Sequence, residues 1–182
     1  MKKIMIALAA VALAVTAQAA SFNWKTGMGG QVYQPGTTTT ANGMVAYLFD
    51  AAVTSQSAAF TALSSGSAVT TLAGSLDSAT LSAGKITTQT AFNWGTAGDT
   101  LSAYFVVVNG DNFYISTEQS ALGDAAATAT IQFKEKTTSQ AALNTTGSYS
   151  GAGWYTAAVP EPTSGLLMLV GLAGLALRRR RA

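Results

Sequence analysis

Apolar and polar positions alternate along the middle of the chain in short bursts rather than long runs. Phe22 and Trp24 are separated by Asn23 and flanked by Ser21 and Lys25, the period of two expected of a half-buried strand. Residues 44–50 form a stronger apolar strand that ends in Asp50. Residues 85–92 alternate again, and residues 128–134 set Ile131 and Phe133 against Gln132 and Lys134. The clearest unit spans residues 101–117, where two apolar arms flank Asn109-Gly110-Asp111-Asn112. Asn-Gly supplies the positive φ angles of a tight hairpin. Residues 27–30 and 35–43, rich in Gly and Thr, read as turns and loop. Thr54 caps a short predicted helix whose Ala58, Phe60 and Leu63 face the core. Residues 69–81 mix apolar pieces with Ser, Gly and Asp and favour no single element, while residues 149–156 close the sheet.

Short strands at close spacing, one small helix and frequent Gly turns predict a mainly β fold, a single β-sandwich or barrel-like domain. A solenoid would show a fixed repeat, and none is present. Phe22-Asn23-Trp24 does recur as Phe92-Asn93-Trp94, with no further match around it. The sequence alone gives this echo no meaning beyond chance or a shared strand-end geometry.

The two ends follow other rules. Lys2 and Lys3 precede twelve unbroken apolar residues, 4–15, and then the small residues Ala17-Gln18-Ala19. That is the three-part secretory signal, too short to span a bilayer as a helix. Residues 1–19 are therefore assigned to a signal helix that signal peptidase removes before Ala20. At the other end Pro160-Glu161-Pro162 precedes an apolar run, residues 165–177, and then Arg178, Arg179, Arg180 and Arg181. As a hydrophobic helix the run is roughly 20 Å long against a hydrocarbon core of ~30 Å. The arginines resist translocation and hold this end in the cytoplasm, and their long stems relax the length mismatch. The two prolines forbid helix upstream and keep Glu161 in an extended segment that a processing enzyme can grip.

In order, spacing and position, these three features resemble a PEP-CTERM sorting signal. A sortase signal shares the layout, but Pro162 stands where its Thr belongs. The resemblance implies that residues 159–182 are a sorting signal. A membrane-embedded exosortase, similar to a cysteine transpeptidase, recognises the tripeptide and removes the tail. It also implies a membrane-held precursor, then the cell surface or extracellular matrix of a Gram-negative bacterium, with exopolysaccharide as a partner.

Charge and composition narrow the exported part, residues 20–158. The whole-chain net charge of +2 comes from the ends. Between residues 21 and 159 four Lys (25, 85, 134, 136) face seven acids (Asp50, Asp77, Asp99, Asp111, Glu118, Asp124, Glu135), a net of −3. Such a domain offers no basic patch for nucleic acid. There is no Cys and no His anywhere. Disulfides, thiol nucleophiles, Ser-His-Asp triads and the usual zinc ligands are thereby excluded.

A glycosidase would need only two carboxylates across a cleft, but no spacing singles out a pair, and most of the acids sit in predicted turns. Asp111 and Asn112 could join a Ca²⁺ site, yet the hairpin accounts for both. No catalytic residue, metal site or cofactor is expected. Trp24, Trp94 and Trp154 are the candidate glycan contacts, either as stacking platforms or as ordinary core. The sequence therefore predicts a non-enzymatic surface protein, with a carbohydrate-binding module as the alternative and a carboxylate-based glycosidase behind it.

Overall fold

The structure, a computed structural model, describes residues 18–134, 143–144 (backbone) and 148–157. The signal helix and the C-terminal hydrophobic helix of the sequence reading lie outside these residues. In chain order the strands are β1 (Ala19–Thr26), β2 (Val45–Asp50), β3 (Ser75–Thr80), β4 (Phe92–Thr96), β5 (Thr100–Asn109), β6 (Asn112–Ile115), β7 (Gln119–Leu122), β8 (Ala129–Phe133), β9 (Leu143–Asn144) and β10 (Gly153–Thr156). Helix α1 (Gln56–Ser64) and a 3-10 turn at Val69–Thr71 lie between β2 and β3.

These elements build two sheets. The smaller has the order β4-β1-β8, with β1 antiparallel to β4 and parallel to β8. The larger has the order β3-β2-β5-β6-β10-β9, and β7 continues beside β5 past the end of β6. The fold is a mainly β, open sandwich with one helix, as the alternation along the chain predicts.

Between the sheets lies the main core. β1 points Ala20, Phe22 and Trp24 inward, β8 adds Ile131 and Phe133, and the large sheet answers with Leu48, Leu101, Phe105, Val107, Tyr114 and Trp154. Phe105 and Phe133 meet edge to face at 5.0 Å between ring centres, a favoured aromatic geometry. A second core lies on the opposite face of the large sheet, where α1 lays Ala59, Phe60 and Leu63 over Phe49, Tyr104, Val106, Phe113, Ile115 and Tyr155. Because β5 is covered on both faces, Ala103 through Val107 are all buried. That is why its sequence is a continuous apolar run rather than an alternating one.

Three local details differ from the sequence reading. The helix cap is Ser55, whose hydroxyl accepts the Ala58 N–H, whereas Thr54 donates to the Ala73 carbonyl. Ala59, not Ala58, is the buried alanine of the helix. The alternating stretch 85–92 is strand only from Phe92 onward. Before it the chain runs irregularly beside β1, with Thr26 donating its N–H to the Ile86 carbonyl at 3.0 Å and Gln89 donating to Trp24 at 3.1 Å.

The Phe-Asn-Trp echo acquires a meaning in three dimensions. Both copies lie in the small sheet on paired strands, with Phe22 opposite Phe92. Each tryptophan reaches the large sheet: Trp24 Nε1 donates to Asp77 of β3 at 2.7 Å, and Trp94 Nε1 donates to Asp50 of β2 at 2.9 Å. Two indole–carboxylate hydrogen bonds thus tie the sheets together. Asp77→Ala should cost about 1–3 kcal/mol, because it strands the Trp24 N–H in a fully buried setting. A chemical denaturation midpoint equal to that of the parent would count against this staple.

The β5–β6 hairpin pairs Asn109 with Asn112, leaving Gly110 and Asp111 as a two-residue loop. Among the loop residues only Gly110 has a positive φ, 58°, in the first loop position where type II′ turns place glycine. No atom lies within 4 Å of an added Cβ there, so a side chain meets backbone strain and no clash. Gly110→Val should therefore lower stability by roughly 1–2 kcal/mol, read as a fall of several degrees in Tm.

Candidate functional site

The most informative place on the domain is where the chain leaves it. β10 lies inside the large sheet, antiparallel to β6 and parallel to β9. Trp154 and Tyr155 are fully buried on opposite faces of that sheet. Trp154 Nε1 donates to the Tyr33 carbonyl at 2.8 Å, and the Tyr155 hydroxyl donates to the Gly151 carbonyl. Thr156 Oγ1 then donates to Asn112 Oδ1 at 3.0 Å, and the Ala157 N–H donates to the Asp111 carbonyl at 2.7 Å. The hairpin tip, whose Asp111 and Asn112 were weighed as cation ligands, instead clasps the end of the last strand.

The chain is held through Ala157, and Pro160 follows three residues later. Fully extended, three residues reach about 11 Å, and the eight residues to Gly165 reach about 29 Å. The start of the Pro160-Glu161-Pro162 motif can therefore lie no further than about 11 Å from Ala157, and its end no further than about 18 Å. The motif itself lies outside the described residues, as do Arg178, Arg179, Arg180, Arg181 and Ala17. Ala19 and Ala20 are the first two residues of β1.

The candidate glycan contacts do not converge. Trp24 and Trp154 are fully buried, each with its indole N–H satisfied, and they present no face to a ligand. Trp94 is half-buried, with its ring edge against Phe22 at 5.8 Å. A stacking platform built from all three is thus corrected by burial: two of them are the ordinary core of the alternative reading.

The acids are engaged in local structure. Asp50 also accepts the Ala52 N–H, Asp124 accepts the Ala126 N–H, and Asp99 accepts both the N–H and the hydroxyl of Thr96 at 2.8 Å. Those two bonds from Thr96, the backbone one first, hold the exposed Asp99 carboxyl below its ordinary range. Asp50 and Asp77 are the structural pair that sequence reasoning missed, and the repeated Phe-Asn-Trp is the signal that points to their tryptophan partners.

A solvent-facing cleft of about 370 Å³ opens on the outer side of the small sheet, lined by Gln18, Ser21, Asn93, Asp124 and Thr128 among others. Ser21 and Thr128 share a hydroxyl hydrogen bond of 3.1 Å across it. A smaller cleft of about 230 Å³ lies at the chain exit, between Leu63, Val108, Gly110, Phe113 and Ala157.

The family comparison bears on the tail. Residues 158–181 match the family model for the PEP-CTERM protein-sorting motif. The chain is thus a PEP-CTERM-bearing exosortase substrate, an exported, membrane-anchored precursor sorted to the cell surface. Neither curated proteins nor solved structures returned a match to the chain. Among the described residues no helix is long and apolar enough to cross a membrane.

Among the described residues one titratable group is strongly perturbed. Tyr104 is fully buried, its hydroxyl has no hydrogen-bond partner among the described residues, and burial raises its pKa far above the ordinary 10.0. Tyr149 and Glu118 push in the same direction. Sealed against Phe49, it is not a reactive group open to a substrate. A raised folded-state pKa contributes stability that is complete below about pH 10 and is lost as the pH climbs beyond it. Tyr104→Phe should therefore raise stability by about 1 kcal/mol at neutral pH and flatten its decline above pH 10, in melting curves across pH 8–12.

Proposed function

We propose that the protein is a non-enzymatic component of the cell surface and extracellular matrix of a Gram-negative bacterium, associated with exopolysaccharide and released from its membrane-held form by exosortase. The observation that carries this reading is the placement of the sorting motif. It begins just after the last core strand ends, so the β-sandwich domain is the cargo and the tail is its address. The engagement of Asp50, Asp77, Asp99 and Asp124 in structural hydrogen bonds supports a non-enzymatic role, because carboxylates committed in this way are poor candidates for acid–base work.

A second reading, a carbohydrate-binding module with the same address, is favoured by one feature. The cleft beside β1 and β4 is lined by amide, hydroxyl and carboxylate groups of the kinds that bond sugar hydroxyls. Retention of the mature protein on the organism's own polysaccharide, lost on Asn93→Ala and Asp124→Ala, would favour this reading. Release of reducing sugar would instead favour a glycosidase.

The sorting step has its own test. Changing Pro160 and Pro162 to Ala frees φ and favours helix, so the recognition strand is no longer held extended. The expected product is uncleaved precursor in the membrane fraction. Replacing Arg178, Arg179, Arg180 and Arg181 with Ser removes the stop signal and should instead leave soluble precursor in the periplasm. Immunoblots of membrane, periplasmic and surface fractions separate the two outcomes. Normal surface delivery of the Pro-to-Ala variant with its tail removed would sink the proposal.

A further inference from the structure

The sequence places the signal-peptidase cut before Ala20, yet the first strand begins earlier than that. The Gln18 carbonyl accepts the Ala97 N–H at 3.0 Å, and Ala19 is paired with Thr96. Ala20 pairs with Trp94, and the ladder shifts register between Ala19 and Ala20. Thr96 and Ala97 belong to the turn that Asp99 fastens, so Gln18 and Ala19 close β1 onto a preformed corner. Ala20 is fully buried, and a Cβ added at Gly123 would come within 2.5 Å of the Ala20 methyl. A chain starting at Ala20 would lose the Gln18 bond and the Ala19 rung. It would also place a new ammonium group on a residue that the fold buries, where charge is disfavoured.

We infer that signal peptidase cuts the Ala17–Gln18 bond instead, and that the mature chain begins at Gln18. Val15-Thr16-Ala17 supplies the recognition frame, with the small Ala17 immediately before the bond and the compact Val15 two positions before that. Water adds across the peptide bond, leaving a carboxylate on Ala17 of the departing signal and an amine on Gln18. Gln18 and Ala19 are exposed, so the amine meets solvent. Gln18 lines the cleft of about 370 Å³, together with Asp124. The mature domain then retains the whole of β1.

This inference rests on reading the N-terminus as a cleavable secretory signal, and the test keeps the two apart. The mature protein is recovered from the cell surface and its N-terminal peptide is identified by mass spectrometry. Gln18, or the lactam it forms with loss of ammonia, is the expected first residue. Ala20 or any other internal start overturns the proposal, and an intact Met1 overturns the secretory reading beneath it. Ala19→Phe supplies a second arm that does not depend on the wild-type peptide. With the cut at Ala17–Gln18, Phe sits on the exposed second position after the bond and processing goes to completion. With the cut at Ala19–Ala20 it occupies the small-residue position, and full-length precursor accumulates.

Discussion

An indole buried in a protein core brings one N–H that must find an acceptor, or its desolvation is uncompensated. This domain answers that demand for Trp24 and Trp94 with carboxylates on the opposing sheet, and the arrangement fixes how the two layers sit. Asp77 and Asp50 lie on neighbouring strands of the large sheet, β3 and β2, while the two indoles come from neighbouring strands of the small one. Sliding one sheet over the other by a residue pair would break both bonds at once. Burial of the apolar core, Phe22, Phe105 and Phe133 included, drives the sheets together but is non-directional; the hydrogen bonds choose the register. In a chain without cysteine, they hold the layers where a disulfide would otherwise do so.

The second consequence concerns the centre of the large sheet. β5 has β2 on one side and both β6 and β7 on the other, with the main core on one face and α1 on the other. The step from β6 to β7 needs an interruption in the ladder, and Ser116 provides it. Its N–H donates to the Phe105 carbonyl at 3.0 Å, and its hydroxyl accepts the Phe105 N–H at 2.8 Å. The kink therefore leaves neither backbone group of Phe105 unpaired, although Ser116 is completely buried. The polar side chain in the middle of an apolar region is there to complete a strand.

Much of this was legible from local pattern. β1 and β8 keep strict alternation because each buries one face only, and the hairpin is announced by Gly110. What the sequence concealed depends on distance along the chain. Trp24 and Asp77 are 53 residues apart and Trp94 and Asp50 are 44 apart, so no window of local periodicity contains either pair. Residues 85–91 alternate like a strand but follow β1 irregularly, since the Thr26 side chain takes the Ile86 N–H that a regular ladder would have used. The tryptophans read more readily as core than as a sugar platform, yet both readings stayed open, because composition does not say which face of a strand is covered. The sorting tail was the reverse case. Its parts are consecutive, and order and spacing alone identified it.

The junction between domain and tail joins these two kinds of information. β10 is the last described strand of the chain, yet it lies inside its sheet, so the large sheet cannot be completed until residues 153–156 are in place. In the sequence the apolar run of the sorting signal begins only eight residues beyond Ala157, and the arginine cluster follows it. In the membrane-held precursor the final strand is therefore joined to the apolar run by a tether of at most about 29 Å. A domain with net charge −3 gains nothing from an anionic lipid surface and is not drawn down onto it. The tether's short length limits how far the motif can lie from the bilayer in the membrane-held precursor. The Ala157–Asp111 and Thr156–Asn112 bonds fasten the last described residues of the domain just before the sorting signal begins.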